Sequence, residues 1–345
     1  MTTVSRRHAL KLAAASGLAG YLGQTGFSQA QAKTLLKIIA WGGTYGDAMR
    51  SSWFEPFAAT SGIRAEIQLQ SSSMETLASL RANKNRNDAD LWCSAIAPTS
   101  LAKNDGLLSS IPVDQLKNAA QLPPAAVNDA YVGIWSLPYG IIYNSKTTPF
   151  EITKWEDLTD KRLKGMVSAP YGANYNGMFI ALLALLAGGD EKNVDPGFEL
   201  AKRMKPNFSI FTTSDSEQIR LLTSGEVDVV AFAPVANYFA ARKAGSHFRF
   251  VCPKPYIPVS ISNIAILKGA NVEAATRFID FAISKEPQQK IAQLLGCLPI
   301  NTQSEVAPAM REAVPAGTEF RFLQEAVMAS QISGWNDRWQ KEIQR

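Results

Sequence analysis

Histidine and cysteine are scarce in this chain of 345 residues, at two and three. Metal centres built on imidazole and thiolate need clustered ligands, and such a supply excludes them. Cys93, Cys252 and Cys297 are far apart and lack the C-x-x-C spacing of zinc or redox sites. They are expected to be small buried apolar residues, and a Cys252–Cys297 bridge is chemically allowed but not decided by the sequence. No G-x-S-x-G, H-E-x-x-H, P-loop or G-x-G-x-x-G pattern occurs, which removes the usual hydrolase, metalloprotease, nucleotide and dinucleotide signatures. Cys93 with His247 could be drawn as nucleophile and base, but only their residue types connect them. The longest apolar run past the N-terminus, residues 178–187, is ten long, against the roughly 20 needed to span a bilayer. No fixed-period repeat or low-complexity stretch is visible.

Charge is low and unevenly placed. The formal +5 owes three positive charges to Arg6, Arg7 and Lys11, ahead of an apolar run over residues 12–22 and the small-residue site Ala30-Gln31-Ala32. This order is that of an export signal. Cleavage near Ala32 lowers Lys+Arg from 35 to 32 against 30 Asp+Glu, a net +2, which implies no nucleic-acid partner. Ser5-Arg6-Arg7-His8-Ala9-Leu10-Lys11 resembles the twin-arginine motif, with Ala9 where Phe is usual. The signal has no Cys, so the expected product is a periplasmic protein without a lipid anchor.

Past the signal, the length suits two domains. Apolar runs and alternation predict strands at Leu35–Ala40, residues 65–70 and residues 90–94. Helices are predicted between them, one ended by Gly62 and one opened by the capping box Ser72-x-x-Glu75. This β-α-β-α-β order implies a parallel sheet covered on both faces. An extended stretch over residues 134–144, with Pro138 and Gly140 inside it, reads as a crossover. A second α/β unit follows, with a capping box at Ser214-x-x-Glu217, a helix ended by Gly225 and a strand over 227–232. The later strand over 260–267 has no place in that unit and is expected to return to the first.

Aromatic and small polar residues recur after the strands, where open α/β sheets bind ligands. They are Trp41, Thr44 and Tyr45; Ser71, Ser72 and Ser73; Ser94; Tyr171, Asn174, Tyr175 and Asn176; residues 213–215; and Asn237. The segments Leu35-Leu-Lys-Ile-Ile-Ala-Trp-Gly-Gly-Thr-Tyr-Gly-Asp47, Tyr139-Gly-Ile-Ile-Tyr-Asn144, Trp155-Glu-Asp-Leu158 with Lys164-Gly165, and Thr223-Ser-Gly-Glu-Val-Asp-Val229 resemble the extracellular solute-binding proteins of ABC importers, specifically the spermidine/putrescine-binding group. The resemblance runs from about Leu35 to Pro299.

That resemblance implies a two-lobed α/β periplasmic-binding-protein fold of type II, each lobe a mostly parallel sheet flanked by helices. The lobes would be 33–138 plus 258–302, and 139–257, with 303–345 as a C-terminal helical segment of undecided lobe. It further implies a monomer that closes on a small-molecule solute and docks on an inner-membrane permease, performing no bond chemistry and using no cofactor or metal. Around the ligand it places Trp41, Tyr45, Ser94 and residues 171–176, 232–234 and 256–262. The expected binding set is Trp41, Thr44, Tyr45, Ser72, Ser94, Tyr139, Tyr171, Asn174, Tyr175, Ala233, Asn237, Tyr256 and Ser262.

Polyamine sites set carboxylates against amines and aromatic faces along the chain. Here Tyr171-Gly-Ala-Asn-Tyr-Asn176 and Phe232-Ala-Pro-Val235 lack acids where that pattern has them, and Asp47 and Asp215 are the nearest candidates. Helix N-termini after the turns at residues 71–73 and 169–174 would instead suit a carboxylate or phosphonate solute. An exported enzyme on the same fold and a secreted interaction protein without a small ligand are the remaining alternatives.

Overall fold

Eleven strands form one mixed sheet system in the computed structural model, which describes residues 35–83 and 88–345. The expected export signal, with Arg6, Arg7, Lys11 and Ala32, lies outside the described residues.

The first three strands form as their patterns predict. β1 (Leu35–Ala40) lies between β2 (Arg64–Leu69) and β3 (Leu91–Ala95), parallel to both. Gly62 ends the intervening helix at φ 73°, a left-handed conformation that suits a residue without Cβ. Ser72 Oγ accepts from the Glu75 N–H at 3.2 Å and opens the helix Ser73–Ala82. Further along, β6 (Val167–Pro170) is parallel to β7 (Phe208–Thr212) and to β8 (Val229–Pro234). The remaining strands are the short β4 (Leu108–Ser109), β9 (Phe248–Val251) and β11 (Phe320–Phe322), and the long β5 (Val132–Asn144) and β10 (Ile257–Leu267).

The two long strands connect everything else. The first half of β5 runs antiparallel to β10, and its second half lies between β8 and β9, antiparallel to both. β10 continues antiparallel beside β3 and β4, and its start pairs parallel with β11. The later strand therefore does return to β3. The parallel sets β2-β1-β3 and β7-β6-β8 form as expected, and the whole is a mixed system because β5 and β10 cross between the two sets in the opposite direction. Residues 34–345 form one compact unit containing distinct apolar cores. One gathers β1, β3 and β10 around Trp53, Trp135 and Phe278. Another gathers β6 and β8 around Phe179, Phe198 and Trp339. The segment beyond residue 302 adds Met310, Trp335 and Trp339 to cores shared with β6 and β8, while β11 pairs with β10 and the helix Glu325–Ala329 packs on the helix Ile96–Asn104.

Fixed polar contacts hold β5 in place. Gln288, fully buried, donates to the carbonyls of Ile134 and Ala282 at 2.8 Å each and accepts from the Ile300 N–H at 2.9 Å. All but one of its four hydrogen-bonding positions are filled, so its burial costs little. Gly140 lies where β5 passes β9, and a Cβ there would meet the Val251 carbonyl oxygen at 2.2 Å.

Packing elsewhere depends equally on small residues. Gly197 lies in the helix Asp195–Met204, against the helix Met178–Leu186, and a Cβ on it would stand 2.4 Å from the Ala184 nitrogen. Alanine ordinarily stabilises a helix relative to glycine. Here Gly197→Ala is expected to lower stability by about 1–3 kcal/mol, read as a lower urea midpoint with unchanged slope. An unchanged or higher midpoint contradicts this packing.

Candidate functional site

Strand alternation builds one wall of a cavity. Trp135, Leu137 and Tyr139 are alternate residues of β5 and therefore share a face. Register places Ser262 opposite Trp135 and Ser260 opposite Leu137. A shift in pairing after Ser262, and another between Gly140 and Ile142, bend the strands here, as bulges do beside sites. The loop after β1 adds Trp41 and Tyr45, β3 ends with Ala95, and the segment after β6 adds Tyr175, Asn176 and Met178. Asp215 completes the lining of a cavity of about 300 Å³.

The rings form two groups. Trp41, Tyr45 and Trp135 lie 6.0–6.1 Å apart by centroid, with Tyr45 stacked on Trp135. Tyr139 stacks on Phe232 at 4.8 Å and meets Tyr175 edge-on at 5.5 Å. Tyr175 and Asn176 both have φ 56°, a left-handed backbone costing non-glycine residues of order 1–3 kcal/mol each.

Asp215 is the one carboxylate of the lining, at the start of the helix Asp215–Ser224, where the helix dipole favours negative charge. Its Oδ1 accepts from Tyr175 Oη at 2.6 Å and from Asn237 Nδ2 at 2.9 Å. Asn237 is itself fixed by Gln218 Oε1 at 2.9 Å, and Gln218 donates to the Phe232 carbonyl at 3.1 Å. Oδ2 has no protein partner among the described residues. Burial, and next the negative charge of Asp215, push the phenols of Tyr45, Tyr139 and Tyr175 above their ordinary range. They stay neutral, as donors or as faces. Among the described residues no lysine or arginine lines this cavity.

Carboxyl groups of the chain already occupy two helix N-termini at this wall. One is Asp215. The other is the start of Ile96–Asn104, where the Ala97 backbone N–H favours the charged form of the Glu325 carboxyl. Glu325 is 3% exposed, and its Oε2 has no hydrogen-bond partner. A third helix begins at Met178, whose N–H turns back to the Tyr175 carbonyl. The turns at 71–73 and 169–174 do not aim helix starts into this cavity. Ser71 lines a different one beside β2, and the second turn runs into the left-handed Tyr175–Gly177 segment.

Five residues of the expected set, Trp41, Tyr45, Tyr139, Tyr175 and Ser262, converge on the cavity. The rest do not line it. Thr44 faces solvent. The Ser72 hydroxyl is used as a helix cap. Ser94 is fully buried within β3, its hydroxyl without a partner. Tyr171 is 43% exposed outside the wall. Asn174 donates to the Thr213 carbonyl at 3.1 Å. Ala233 is buried opposite Gly140. Tyr256 packs on the second core, its carbonyl accepting from Trp155 Nε1. Asn237 acts one step back, through Asp215. The sequence reading missed Ala95, Trp135, Leu137 and Met178; the period-2 relation of Trp135 and Leu137 to Tyr139 was the available signal.

Cys93, wholly buried, has its thiol pushed up by desolvation, the opposite of an activated nucleophile. It belongs to the first core, whereas His247 packs on Phe248 at the start of β9. All three cysteines are free thiols, so the allowed Cys252–Cys297 bridge does not form.

With the geometry in hand, residues 52–316 match the model of the bacterial extracellular solute-binding proteins. The chain belongs to that family. An uncharacterised Haemophilus influenzae protein is 28% identical over 70% of this chain and 72% of its own length. Two relatives at 24% identity are iron uptake protein A1 of Synechocystis, over 70% of this chain and 69% of its own, and a Salmonella typhimurium periplasmic protein named for 2-aminoethylphosphonate binding, over 75% and 77%. A solved ABC transporter structure from Clostridium perfringens superposes with a TM-score of 0.80 at 23% identity, over 90% of this chain and all of that one. The fold is thus the α/β periplasmic-binding-protein fold.

Burial pushes the Glu325 carboxyl from an ordinary 4.5 up to about 7. Below about pH 4.5 both folded and unfolded chains hold the proton. As pH rises towards 7 the unfolded chain releases it first, and stability on the order of 3 kcal/mol is lost across that window. Glu325→Gln is expected to abolish this slope, measured by urea denaturation at pH 5 and pH 8. A variant that keeps the full wild-type difference contradicts the assignment.

Proposed function

We propose that this family member is the solute-binding component of an ABC importer, exported to the periplasm as a monomer, and that its solute is a small organic cation with one ammonium group. The wall carries the reading: five aromatic side chains and a single carboxylate, with no lysine or arginine among the described residues. An ammonium would pair with Asp215 Oδ2 and lie against the ring faces, both favourable in a partly desolvated recess. Asp215 is held through Oδ1, so little reorganisation accompanies binding.

A carboxylate or phosphonate solute is the weaker reading. It would meet Asp215 directly and would have to compete with Glu325 for the start of Ile96–Asn104. A polyamine, favoured by the spermidine/putrescine resemblance, brings a second ammonium for which the lining has no acid. The Salmonella relative's named ligand does contain an amine, and only that end matches this wall.

Hinge closure would convert binding into a signal. The lobes 33–138 plus 258–302 and 139–257 would rotate about β5 and β10, with the C-terminal segment packed against both. Trp41, Tyr45 and Trp135 come from one side and Tyr139, Tyr175 and Asp215 from the other, so a solute touching both favours the closed state. A permease would then receive that form.

Titration calorimetry at physiological salt with propylammonium, putrescine and malonate tests this. Propylammonium is expected to bind, malonate to give no heat up to millimolar concentration, and Asp215→Asn to weaken propylammonium at least tenfold. Malonate binding without propylammonium binding overturns the reading.

A further inference from the structure

A second chamber of about 400 Å³ adjoins the aromatic recess. Met74, Ala97 and Leu101 line it on one side, and Ala173, Ala329 and Ile332 on the other. Its polar lining consists of Asn176, Ser333 and Asn336, and no charged side chain among the described residues faces it. Asn176 stands in both walls. Nearby segments likewise divide their residues between the two spaces: Ala95 borders the recess and Ala97 the chamber, Tyr175 the recess and Ala173 the chamber. Two spaces that share a residue and flank the same short segments lie side by side.

We propose that the solute is amphiphilic, its ammonium against Asp215 in the recess and an apolar arm in the second chamber, with Asn176 at the passage between them. This rests on the organic-cation reading above. The chamber offers methyl, methylene and thioether surface that an arm would remove from water. A second ammonium would gain nothing there, because no acid among the described residues is in the lining. The left-handed backbone at Tyr175 and Asn176 holds the aromatic ring on Asp215 while the next side chain faces the passage.

Calorimetry with n-alkylammonium ions from ethyl to octyl, on wild type, Ala329→Phe and Leu101→Ala, tests the proposal. In wild type the affinity is expected to rise about threefold per methylene until the chamber is full. Ala329→Phe, which fills the chamber, is expected to bind ethylammonium as wild type does and to lose the rise for longer arms. Leu101→Ala, which only removes atoms, is expected to move the best arm length upward. Ethylammonium binding with a flat series in wild type, or an unchanged series in both variants, overturns the chamber while leaving the cation reading intact. Failure of every ammonium ion to bind overturns both.

Discussion

A thirteen-residue strand that changes partners half-way along its length is the constraint on which the site depends. β5 pairs with β10 up to Pro138 and with β8 and β9 from Tyr139 onward. Because side chains alternate along a strand, one face of β5 delivers Trp135 and Leu137 beside the first core and Tyr139 beside the second. The cavity wall is thus continuous across the change of partner. Gly140 permits it, since a Cβ at that point would strike the Val251 carbonyl.

Electrostatics then narrow what the wall can hold. A carboxylate at a helix N-terminus, pinned through one oxygen by Tyr175 and Asn237, is a preorganised negative point in an aromatic surround. Its field raises the neighbouring phenols instead of ionising them, so the wall offers one charge and several neutral faces. A second carboxyl, from Glu325, packs beside the start of Ile96–Asn104. The complementarity proposed for this wall is therefore to a cation.

Much of the architecture was legible in the sequence because it rests on local chemistry. The strand Leu35–Ala40 and the caps Ser72, Ser214, Gly62 and Gly225 are set by neighbours a few residues away. The mixed direction of the sheets was not, because antiparallel pairing of β10 with β3 joins residues about 170 apart, as in Asn263 with Ser94. Of the site, aromatics after strand ends could be found from type and position. Trp135 and Leu137 could not be separated from core residues until register placed serines opposite them. Ser94 and Ala233 show the converse error: both lie near strand ends, yet both point into packed protein. Asn237 was found for the wrong reason, since its amide holds Asp215 and does not line the cavity. Glu325 gave no local signal, its role arising from a contact with Ala97 more than two hundred residues earlier.

The central claim, that a single carboxylate in an aromatic recess selects a cationic organic solute, is tested most directly by native mass spectrometry of protein released from the periplasm without refolding. The account predicts a co-purified small molecule whose exact mass requires an amine nitrogen and which is absent from the Asp215→Asn protein prepared in parallel. A bound phosphate, phosphonate without an amine, carboxylate or metal ion, retained equally by that variant, would contradict it.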